Sequence, residues 1–503
     1  MAAYVIAVIS DIHDAEACPI PKRRGEFGLL LLRRAVQRLN RWVKPDAVAV
    51  LGDLVDHPEG ADTPQRLAAI KEALDQLEAP VIVIPGNHDP EPDRFYQVFP
   101  RPPEWMDVGS LRLVPFVDPP EPGFNARRLP HDLERMAAAR AGHAGPIVAL
   151  HHVPLLPPGA TRCPYGYTNA EEVLAAAEAA RITLSIGGHH HAGTELVRRD
   201  QSAYLCVKAL CEAPFTFTLV RIGDDGRIEV SHEALSLPAE LGLIDLHTHS
   251  QFAYCSRGMD LALTPAVAEL VGLAGVAVTE HSGQLYFERR MYWGGAFCER
   301  GIETEEGVDA RIGAYWQQAE AVRAPAVWIG LEIDADYAGR LVVRPEDYGR
   351  AEVRIGAVHY LRSLRAKEKA DPERVADDFL AVTAQLVRSG IDVLAHPFRV
   401  FRRAGLEVPE RLFAPVVRLL RENGVAAEVN FHTNTPDPRF FRACLDAGVK
   451  LTFGSDAHEP HAIGEFTPHV EFLSACGYDG DVRDVLWTPP ADRRAAQGAA
   501  RIG

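Results

Sequence analysis

The sequence is poor in cysteine and contains no long apolar run. Its 8 cysteines among 503 residues are scattered without a CxxC pair, which argues against a disulfide framework and favours a reducing compartment. No apolar stretch is long enough to span a bilayer. The apolar run 2–9 lacks the basic residues and cleavage site of a signal peptide. We therefore predict a cytoplasmic protein with no membrane partner.

An excess of positive charge is also missing. The net charge is −16 and both halves of the chain are acidic, so neither half has the character of a tight, non-specific nucleic-acid binder. A nucleic-acid partner is possible but not favoured. Hydrophobic residues make up 47% and charged residues 24% of the chain, as in soluble globular proteins. The length predicts two or three domains.

Histidine, in contrast, is abundant, with 20 residues, many of them clustered after short apolar runs. In the first half these runs alternate with stretches of helical spacing. The runs end at Asp11-x-His13, Gly52-Asp53, Gly86-Asn87-His88-Asp89, His151-His152 and Gly188-His189-x-His191. This alternation predicts an α/β fold with its polar groups at the carboxyl ends of buried strands, where such folds bind ligands.

Each of these clusters is weak evidence when taken alone. A single histidine at a strand end is more often a hydrogen-bonded structural residue, and Gly-Asn-His-Asp is also a favourable turn sequence. Together, however, the strand ends carry Asp, His and Asn, the hard and borderline ligands of divalent cations. The combination predicts a dinuclear metal site.

In this order, the motifs of the first half resemble those of the calcineurin-like metallophosphoesterases. The resemblance implies a β-sandwich flanked by helices, with two metal ions that activate a water molecule for attack on a phosphoester. It places one metal on Asp11, His13, Asp53 and His191, and a second on the bridging Asp53 with Asn87, His151 and His189. The motif leaves a choice between His151 and His152; we prefer His151 as the ligand, with His152 either supporting a ligand from behind or contacting the substrate.

The same resemblance implies two catalytic residues that are not ligands. His88 would lie beside the leaving group as a proton donor or charge stabiliser, and Asp89 would orient it. The stretch Cys163–Tyr167 follows the His151 motif, and its aromatic residues either line a pocket, stack on a base or cover the core. The proline-rich stretches Pro90–Pro103 and Val117–Pro130 predict ordered, irregular loops over the site.

A second set of motifs begins at Leu243. The preceding linker contains Pro238 and Gly242, so we predict domains at 1–238 and 239–488 and a disordered tail at 489–503. In His247-x-His249, a strand would place two imidazoles on one face. Further apolar runs end at Glu280-His281, Glu332, His359, His396 and Asp456-x-His458. Strand–helix repetition over this length predicts a barrel with its ligands at one mouth.

The order of these motifs resembles the PHP (polymerase and histidinol phosphatase) family, from Leu243 to roughly Gly464. The resemblance implies a distorted (β/α)7 barrel with two or three metal ions. It assigns His247, His249, Glu332 and Asp456 to the first metal, Glu332, His359 and His396 to the second, and His281, His458 and a residue near position 255 to the third.

Position 255 departs from the family pattern, because it is Cys255 where the family has His or Asp. A thiolate is a good ligand for zinc and a poor one for magnesium or manganese. Either Cys255 coordinates a third metal, or it is a small buried residue and the third site is altered. Arg257 and Arg399 lie next to metal motifs and are either phosphate-binding residues or surface arginines.

We therefore predict a bifunctional, metal-dependent phosphoesterase with two separate multinuclear sites. Its cofactors would be Mn, Fe or Zn ions, two in the first domain and two or three in the second. Its substrate would be a small phosphorylated molecule or nucleotide, cleaved as a phosphodiester, a phosphomonoester or both. The alternatives are a metal-dependent nuclease or DNA-repair enzyme, and a phosphoesterase whose PHP domain is regulatory.

Overall fold

The structure, a computed structural model, describes residues 3–223, 225–302, 309–365 and 371–490. These residues form two compact units that meet at the Ser236–Leu237 bond. The predicted tail lies outside the described residues from position 491 onwards. Both units are built from strands and helices, so the predicted α/β class is confirmed.

The first unit contains two β-sheets. Its strands are β1 (Ala3–Ile9), β2 (Ala47–Val50), β3 (Val81–Val83), β4 (Met106–Val108), β5 (Leu111–Pro115), β6 (Pro120–Glu121), β7 (Asn125–Ala126), β8 (Ile147–Leu150), β9 (Leu184–Gly187), β10 (Val197–Arg199), β11 (Ser202–Cys206), β12 (Thr216–Gly223) and β13 (Ile228–Ala234). One sheet has the order β13-β12-β1-β2-β3, and the other has the order β10-β11-β9-β8-β5-β4. The pair β6–β7 forms a separate antiparallel hairpin.

The core of this unit lies between the two sheets. Ile6 and Val8 of β1 belong to the same buried cluster as Leu113 of β5 and Val148 of β8, as expected when inward-facing side chains of a sandwich interdigitate.

The helices are α1 (Gly28–Arg38), α2 (Thr63–Leu74), α3 (Pro92–Phe95), α4 (Pro130–Arg140) and α5 (Ala170–Ala179), with a 3-10 turn at Gly25–Phe27 and a π-turn at Leu39–Val43. In one sheet β1, β2 and β3 run parallel to one another, and in the other β5, β8, β9 and β11 do so, whereas β12, β13, β4 and β10 pair antiparallel.

The second unit is built around one parallel sheet of seven strands. In sequence order these are β14 (Ile244–Thr248), β15 (Gly275–His281), β16 (Val327–Asp334), β17 (Arg354–Ala357), β18 (Val393–Leu394), β19 (Ala426–Val429) and β20 (Leu451–Phe453), and they pair in this same order. A parallel bridge between Thr248 and Ala457 joins the two ends of the sheet. The sheet therefore forms a nearly closed parallel barrel.

Helices follow most of these strands, as in other barrels of this type. They are α6 (Thr264–Leu270), α7 (Ser282–Tyr286), α8 (Arg289–Trp293), α9 (Ala296–Arg300), α10 (Asp309–Ala321), α11 (Pro345–Arg350), α12 (Pro372–Arg388), α13 (Arg399–Arg403), α14 (Phe413–Asn423), α15 (Pro438–Asp446), α16 (Thr467–Ala475) and α17 (Val482–Val485), with 3-10 turns at Ala239–Leu241, Arg362–Leu364, Glu410–Leu412 and Pro460–Ala462. None of the helices in the described part of the chain has the length and apolar character needed to cross a bilayer.

Candidate metal centres

The carboxyl ends of β1, β2 and β9 bring four predicted ligands together in the first unit. Nε2 of His13 lies 3.2 Å from Nε2 of His191 and 3.5 Å from Oδ2 of Asp53. Nε2 of His191 lies 3.5 Å from Oδ1 of Asp11. Asp11, His13 and Asp53 are almost completely buried. Their nitrogen and oxygen atoms face one another at the spacing that ligands of one cation adopt.

A second group adjoins the first through Asp53. Nε2 of His152 lies 3.4 Å from Oδ2 of Asp53 and 3.0 Å from Oδ1 of Asn87. The ligand atoms of Asp53, His152 and His189 lie within 4.8 Å of one another. Asp53 therefore lies between two groups of donors, which is the arrangement of a residue that bridges two cations.

The preference for His151 over His152 needs correction, because His152 is the histidine that joins this cluster. The His151 ring turns the other way, with Nδ1 2.7 Å from the Val153 carbonyl oxygen and its ring edge-on to Tyr167. Burial, followed by the nearby charge of Arg128, lowers the pKa of His151 to about 3. His151 is thus a neutral residue of the interior, behind the cluster.

The predicted pairing of His88 with Asp89 is also wrong. The Asp89 carboxylate accepts hydrogen bonds from the backbone N–H groups of Leu54 at 2.8 Å and Gly86 at 2.8 Å, so it holds two backbone turns rather than an imidazole. Nδ1 of His88 lies 3.0 Å from the Asp56 carbonyl oxygen. The His88 ring lies edge-on to His13, with centroids 4.7 Å apart, and remains 30% exposed.

The orientation of two ligands depends on carboxylates that the motif analysis did not select. Nδ1 of His13 lies 2.9 Å from Oδ1 of Asp56, and Nδ1 of His191 lies 2.5 Å from Oε1 of Glu212. Such contacts hold Nδ1 as the protonated nitrogen and direct the Nε2 lone pair into the cluster. Asp56 closes the Gly-Asp-x-x-Asp motif and was open to prediction, whereas Glu212 carries no sequence signal.

Backbone strain accompanies many of these side chains. Positive φ values, which are uncommon for residues other than glycine, occur at Asp11 (56°), His13 (48°), Asp53 (53°), His189 (66°), His396 (28°) and Asp456 (53°). Each such residue costs of order 1 kcal/mol and is typical of functional sites. Their concentration at the predicted ligands supports a functional role for both clusters.

The charges within the first cluster are strongly coupled. Burial opposes ionisation of Asp53, but the charge and hydrogen bond of His152 outweigh it and hold the pKa of Asp53 well below its usual range. Burial also disfavours a charged His152, yet Asp53 raises the pKa of His152 to about 9. Burial lowers the pKa of His189 to about 4. Asp53 is therefore ionised and His189 neutral at pH 7, the states in which both bind cations, whereas His152 must release a proton when a cation binds.

In the second unit, the ligands surround the Glu332 carboxylate of β16. Its Oε1 lies 2.8 Å from Nε2 of His396 and 3.1 Å from Nε2 of His359. Its Oε2 lies 2.5 Å from Nδ1 of His281 and 3.5 Å from Nε2 of His247. Glu332 is fully buried, and the charges of His281 and His359 hold its pKa well below the usual range although burial opposes this.

Asp456 closes the cluster from the other end of the sheet. Its Oδ1 lies 2.9 Å from Nε2 of His249 and 3.7 Å from Nε2 of His247. Because β14 and β20 are the first and last strands of the barrel, these contacts require the nearly closed sheet. His247, His249, Glu332 and Asp456, the set predicted for one metal, therefore meet in one place.

A third group contains His249, His281 and His458, whose ligand atoms lie within 4.8 Å of one another. The rings of His249 and His281 stack with centroids 4.1 Å apart. Sγ of Cys255 lies 3.6 Å from Nε2 of His281 and accepts a hydrogen bond from the Gln284 side chain at 3.4 Å. Cys255 thus borders this group, and its role as a ligand stays a prediction.

The two predicted phosphate-binding arginines occupy different positions. Arg399 is buried, forms an ion pair with Asp456 and donates to Nε2 of His359 at 3.0 Å. Arg257 is exposed, and its backbone N–H donates to the His458 carbonyl at 2.8 Å. Within the described part of the chain, the Arg257 guanidinium has no ion-pair partner, so only Arg399 reaches the cluster.

Carboxylates again orient the ligand imidazoles of this unit. Nδ1 of His247 lies 2.6 Å from Glu428, and Nδ1 of His249 lies 3.1 Å from Glu280. Nδ1 of His359 lies 2.6 Å from Asp334. In the sequence, Glu280 is marked only as the neighbour of His281, and no motif marks Asp334 or Glu428. Asp334 shares a strand with Glu332 at a spacing of two residues, which is a usable signal, but Glu428 lies within a short apolar strand.

Both clusters pass a simple test of fit for divalent cations. Nε2 of His189 and Nε2 of His247 are buried and have no hydrogen-bond partner among the described residues. Buried polar atoms in native proteins nearly always have a partner, and each of these two atoms belongs to one of the candidate centres. The donors are imidazole, carboxylate and amide groups, which suit Mn, Fe and Zn.

Residues 4–193 match the model of the calcineurin-like phosphoesterase family. The chain is a hydrolase of phosphoric esters, as the sequence predicts, and the match implies divalent metal ions and phosphorylated substrates. The matched range includes every residue predicted to bind metal in the first unit. No match was found among curated proteins.

Similar folds occur among solved structures. A dimetal phosphatase from Danio rerio is 17% identical, with a TM-score of 0.38, and covers 46% of this chain and 99% of its own. A protein assigned as a histidinol phosphatase from Listeria monocytogenes is 14% identical, with a TM-score of 0.36, and covers 45% and 99%. A purple acid phosphatase from yellow lupin (Lupinus luteus) seeds is 16% identical, with a TM-score of 0.35, and covers 46% and 52%.

Proposed function

We propose that this chain is a bifunctional metal-dependent phosphoesterase with one multinuclear centre in each unit. The observation that carries the proposal is the shared orientation of its ligand histidines. In both units a carboxylate next to Nδ1 directs Nε2 toward a buried carboxylate, Asp53 in the first unit and Glu332 in the second. Two independent convergences of this kind are difficult to explain by packing alone, because each concentrates costly buried polar groups.

In the first unit, two divalent cations would be held by Asp11, His13, Asp53, His191, Asn87, His152 and His189. When bound, they supply a nucleophilic water at neutral pH and neutralise the phosphoryl oxygens. Asn87 contributes an oxygen without adding negative charge near the phosphate. His152 replaces His151 in this ligand set, because only His152 faces Asp53 and Asn87.

His88 is the residue that we assign to proton transfer at the leaving group. A carbonyl oxygen only accepts hydrogen bonds, so the contact with Asp56 requires a proton on Nδ1 of His88. Nε2 is then the nitrogen that gains or loses a proton. Because the ring is partly exposed beside His13, Nε2 is accessible to a departing alkoxide.

In the second unit, two or three cations would be held by His247, His249, Glu332, His359, His396 and Asp456, with His281, His458 and Cys255 for the third. Arg399 donates toward His359 and Asp456, so its guanidinium is placed to bind a phosphoryl oxygen beside the cations. The arrangement fits a phosphomonoesterase or phosphodiesterase with a separate substrate site.

Reconstitution of three proteins tests the proposal. Wild type, Asn87→Ala and His249→Ala would each be loaded with manganese, zinc or iron and assayed against a panel of phosphomonoesters and phosphodiesters. We expect each variant to lose a different part of the activity. If His249→Ala leaves every activity unchanged, the second unit is not catalytic and the bifunctional proposal fails.

The two centres also permit sequential action on one substrate. The first unit would open a phosphodiester, and the second would remove the terminal phosphate that results. An Asp53→Ala variant should then leave a diester intact while it still releases phosphate from the corresponding monoester. Complete conversion of the diester to free phosphate by Asp53→Ala contradicts this order.

A further inference from the structure

A cavity of about 360 Å³ opens beside the second ligand group of the first unit. Asn87 and His152 form its inner end, and its walls are mainly apolar. The apolar lining residues include Pro85, Pro90, Phe116, Val117, Phe124 and Val153. The volume lies in the range of about 300–1,000 Å³ that is typical of small-molecule sites. The cavity is large enough for one ring system next to the phosphoryl group.

Phe124 stands at the edge of this cavity in an unusual conformation. It lies in the turn of the β6–β7 hairpin with a φ of 61°, although bulky residues rarely adopt positive φ. Its side chain is 64% exposed, so burial does not offset this strain. An exposed aromatic residue held in a strained turn at a cavity is typical of a ligand-binding position.

A second aromatic ring approaches the same place from another loop. The Tyr165 ring lies edge-on to His189, with centroids 4.4 Å apart, and edge-on to Phe124, with centroids 6.4 Å apart. The Phe124 ring is 6.5 Å from that of His189. Phe124 therefore lines the cavity, and Tyr165, which is not a lining residue, packs edge-on against both Phe124 and the candidate metal ligand His189.

The charge of the lining excludes one class of occupant. The described lining residues include no Lys or Arg. Asp118 is neutralised by its ion pair with Arg128 at 2.7 Å, whereas Glu91 and Glu121 have no ion-pair partner within the described ranges. An anionic group beside Glu91 and Glu121 would meet two carboxylates that no Lys or Arg of the described lining compensates, at a cost in binding free energy.

We propose that this cavity binds the alcohol portion of the substrate, and that this portion is an uncharged planar aromatic group stacked against Phe124, whose ring Tyr165 supports from the side. The inference rests on the proposed function of the first unit. It restricts the substrates to esters whose leaving group is aromatic and carries no second phosphate or carboxylate. Nucleosides and simple aryl alcohols share this chemistry.

Matched substrates separate ring stacking from chemical reactivity. Benzyl and cyclohexylmethyl esters have leaving groups of similar size and basicity, and 4-carboxybenzyl esters add a negative charge. Each would be supplied as a monoester and as a methyl diester to the manganese-loaded full chain. We expect kcat/KM to be highest for the benzyl ester and about fivefold lower for the cyclohexylmethyl ester.

Variants then assign the preference to individual residues. Phe124→Ala and Tyr165→Ala should each bring the benzyl and cyclohexylmethyl esters close to equal kcat/KM. Trp293→Ala is the matched control, because Trp293 is also an exposed large aromatic residue but belongs to the other unit. The double variant Glu91→Gln/Glu121→Gln should narrow the discrimination against the 4-carboxybenzyl ester.

Binding of non-hydrolysable analogues gives a readout that does not depend on turnover. The same aromatic preference should appear in calorimetric titration with 2-phenylethylphosphonate and 2-cyclohexylethylphosphonate, and Phe124→Ala should abolish it. All esters could be hydrolysed while Phe124→Ala and Tyr165→Ala keep the same ratio of kcat/KM between the benzyl and cyclohexylmethyl esters as Trp293→Ala. In that case the inference is wrong and the proposed function stands. If no ester is hydrolysed but the analogue preference persists, the proposed function fails and the aromatic site stands.

Discussion

Glu428 lies 2.6 Å from Nδ1 of His247, and its other oxygen accepts the backbone N–H of His396 at 2.6 Å. One buried carboxylate from β19 thus positions two candidate ligands that come from β14 and from the loop after β18. The sequence contains no motif at Glu428, although loss of an orienting carboxylate typically weakens metal binding by about 10–100-fold.

Glu428→Gln should therefore lower the metal affinity of the second unit by about tenfold or more. The amide keeps the size of the side chain but removes the charge that favours a protonated Nδ1 on His247. Competition with a chelator, read by metal analysis, measures the change. Glu422→Gln, at an exposed position on α14, is the control; equal affinities of the two variants would exclude the orienting role.

Separate replacement of His151 and His152 should show which of the two binds a metal ion and which is a residue of the interior. His152→Ala removes the imidazole that faces Asp53 and Asn87, so we expect loss of one metal equivalent and at least a hundredfold fall in first-unit activity. His151→Ala should retain the metal but unfold more easily, because it leaves a cavity behind the cluster. Metal content and thermal unfolding distinguish the two variants. Loss of metal from His151→Ala but not from His152→Ala would restore His151 as the ligand.

Gly86 provides a test of how closely the first cluster is packed. A Cβ atom at Gly86 would lie 2.3 Å from Oδ1 of Asp53 and 2.7 Å from Cε1 of His152. Gly86→Ala should therefore displace both side chains and reduce bound metal. Gly166→Ala is the control, because its nearest neighbour would be 4.0 Å away. Full metal occupancy in Gly86→Ala would show that the cluster tolerates the displacement.

The ion pair of Asp118 with Arg128 predicts a pH-dependent stability. Burial opposes ionisation of Asp118, but Arg128 outweighs it and holds the pKa of Asp118 below its usual value. This stabilisation is full above about pH 4, the unfolded-state value, and is lost as the pH falls through the folded-state pKa. Asp118→Asn should lower the free energy of unfolding by about 3 kcal/mol at pH 7, with a smaller effect near pH 3.5.

Asp107 offers a matched comparison for Asp118, because it also forms a two-point ion pair, with Arg112. Its side chain is 44% exposed, so Asp107→Asn should cost less than about 1 kcal/mol. Urea unfolding of both variants at the two pH values gives the comparison. If both variants lose the same free energy of unfolding at pH 7, burial does not determine the strength of the Asp118–Arg128 ion pair.

Local sequence pattern was sufficient to place most of the elements that carry the sites. The apolar runs that begin at residues 47, 147 and 275 form β2, β8 and β15. Buried parallel strands have continuous apolar sequences, so their ends are visible without a structure. Glu332 was expected after its strand but lies within β16, because ladder pairing with β17 extends the strand beyond its apolar run.

The sequence by itself determined which residue types stand at the strand ends, and hence a divalent metal site; the order of the motifs added the resemblance that implies a phosphoesterase. Only the tertiary structure decided which partner each imidazole faces: His152 instead of His151 faces Asp53, His88 contacts the Asp56 carbonyl oxygen instead of the Asp89 carboxylate, and Glu428 lies behind His247. Side-chain direction at the end of a strand depends on φ and ψ values that tertiary contacts impose, and Asp11, His13, Asp53 and His189 have positive φ that local propensity disfavours.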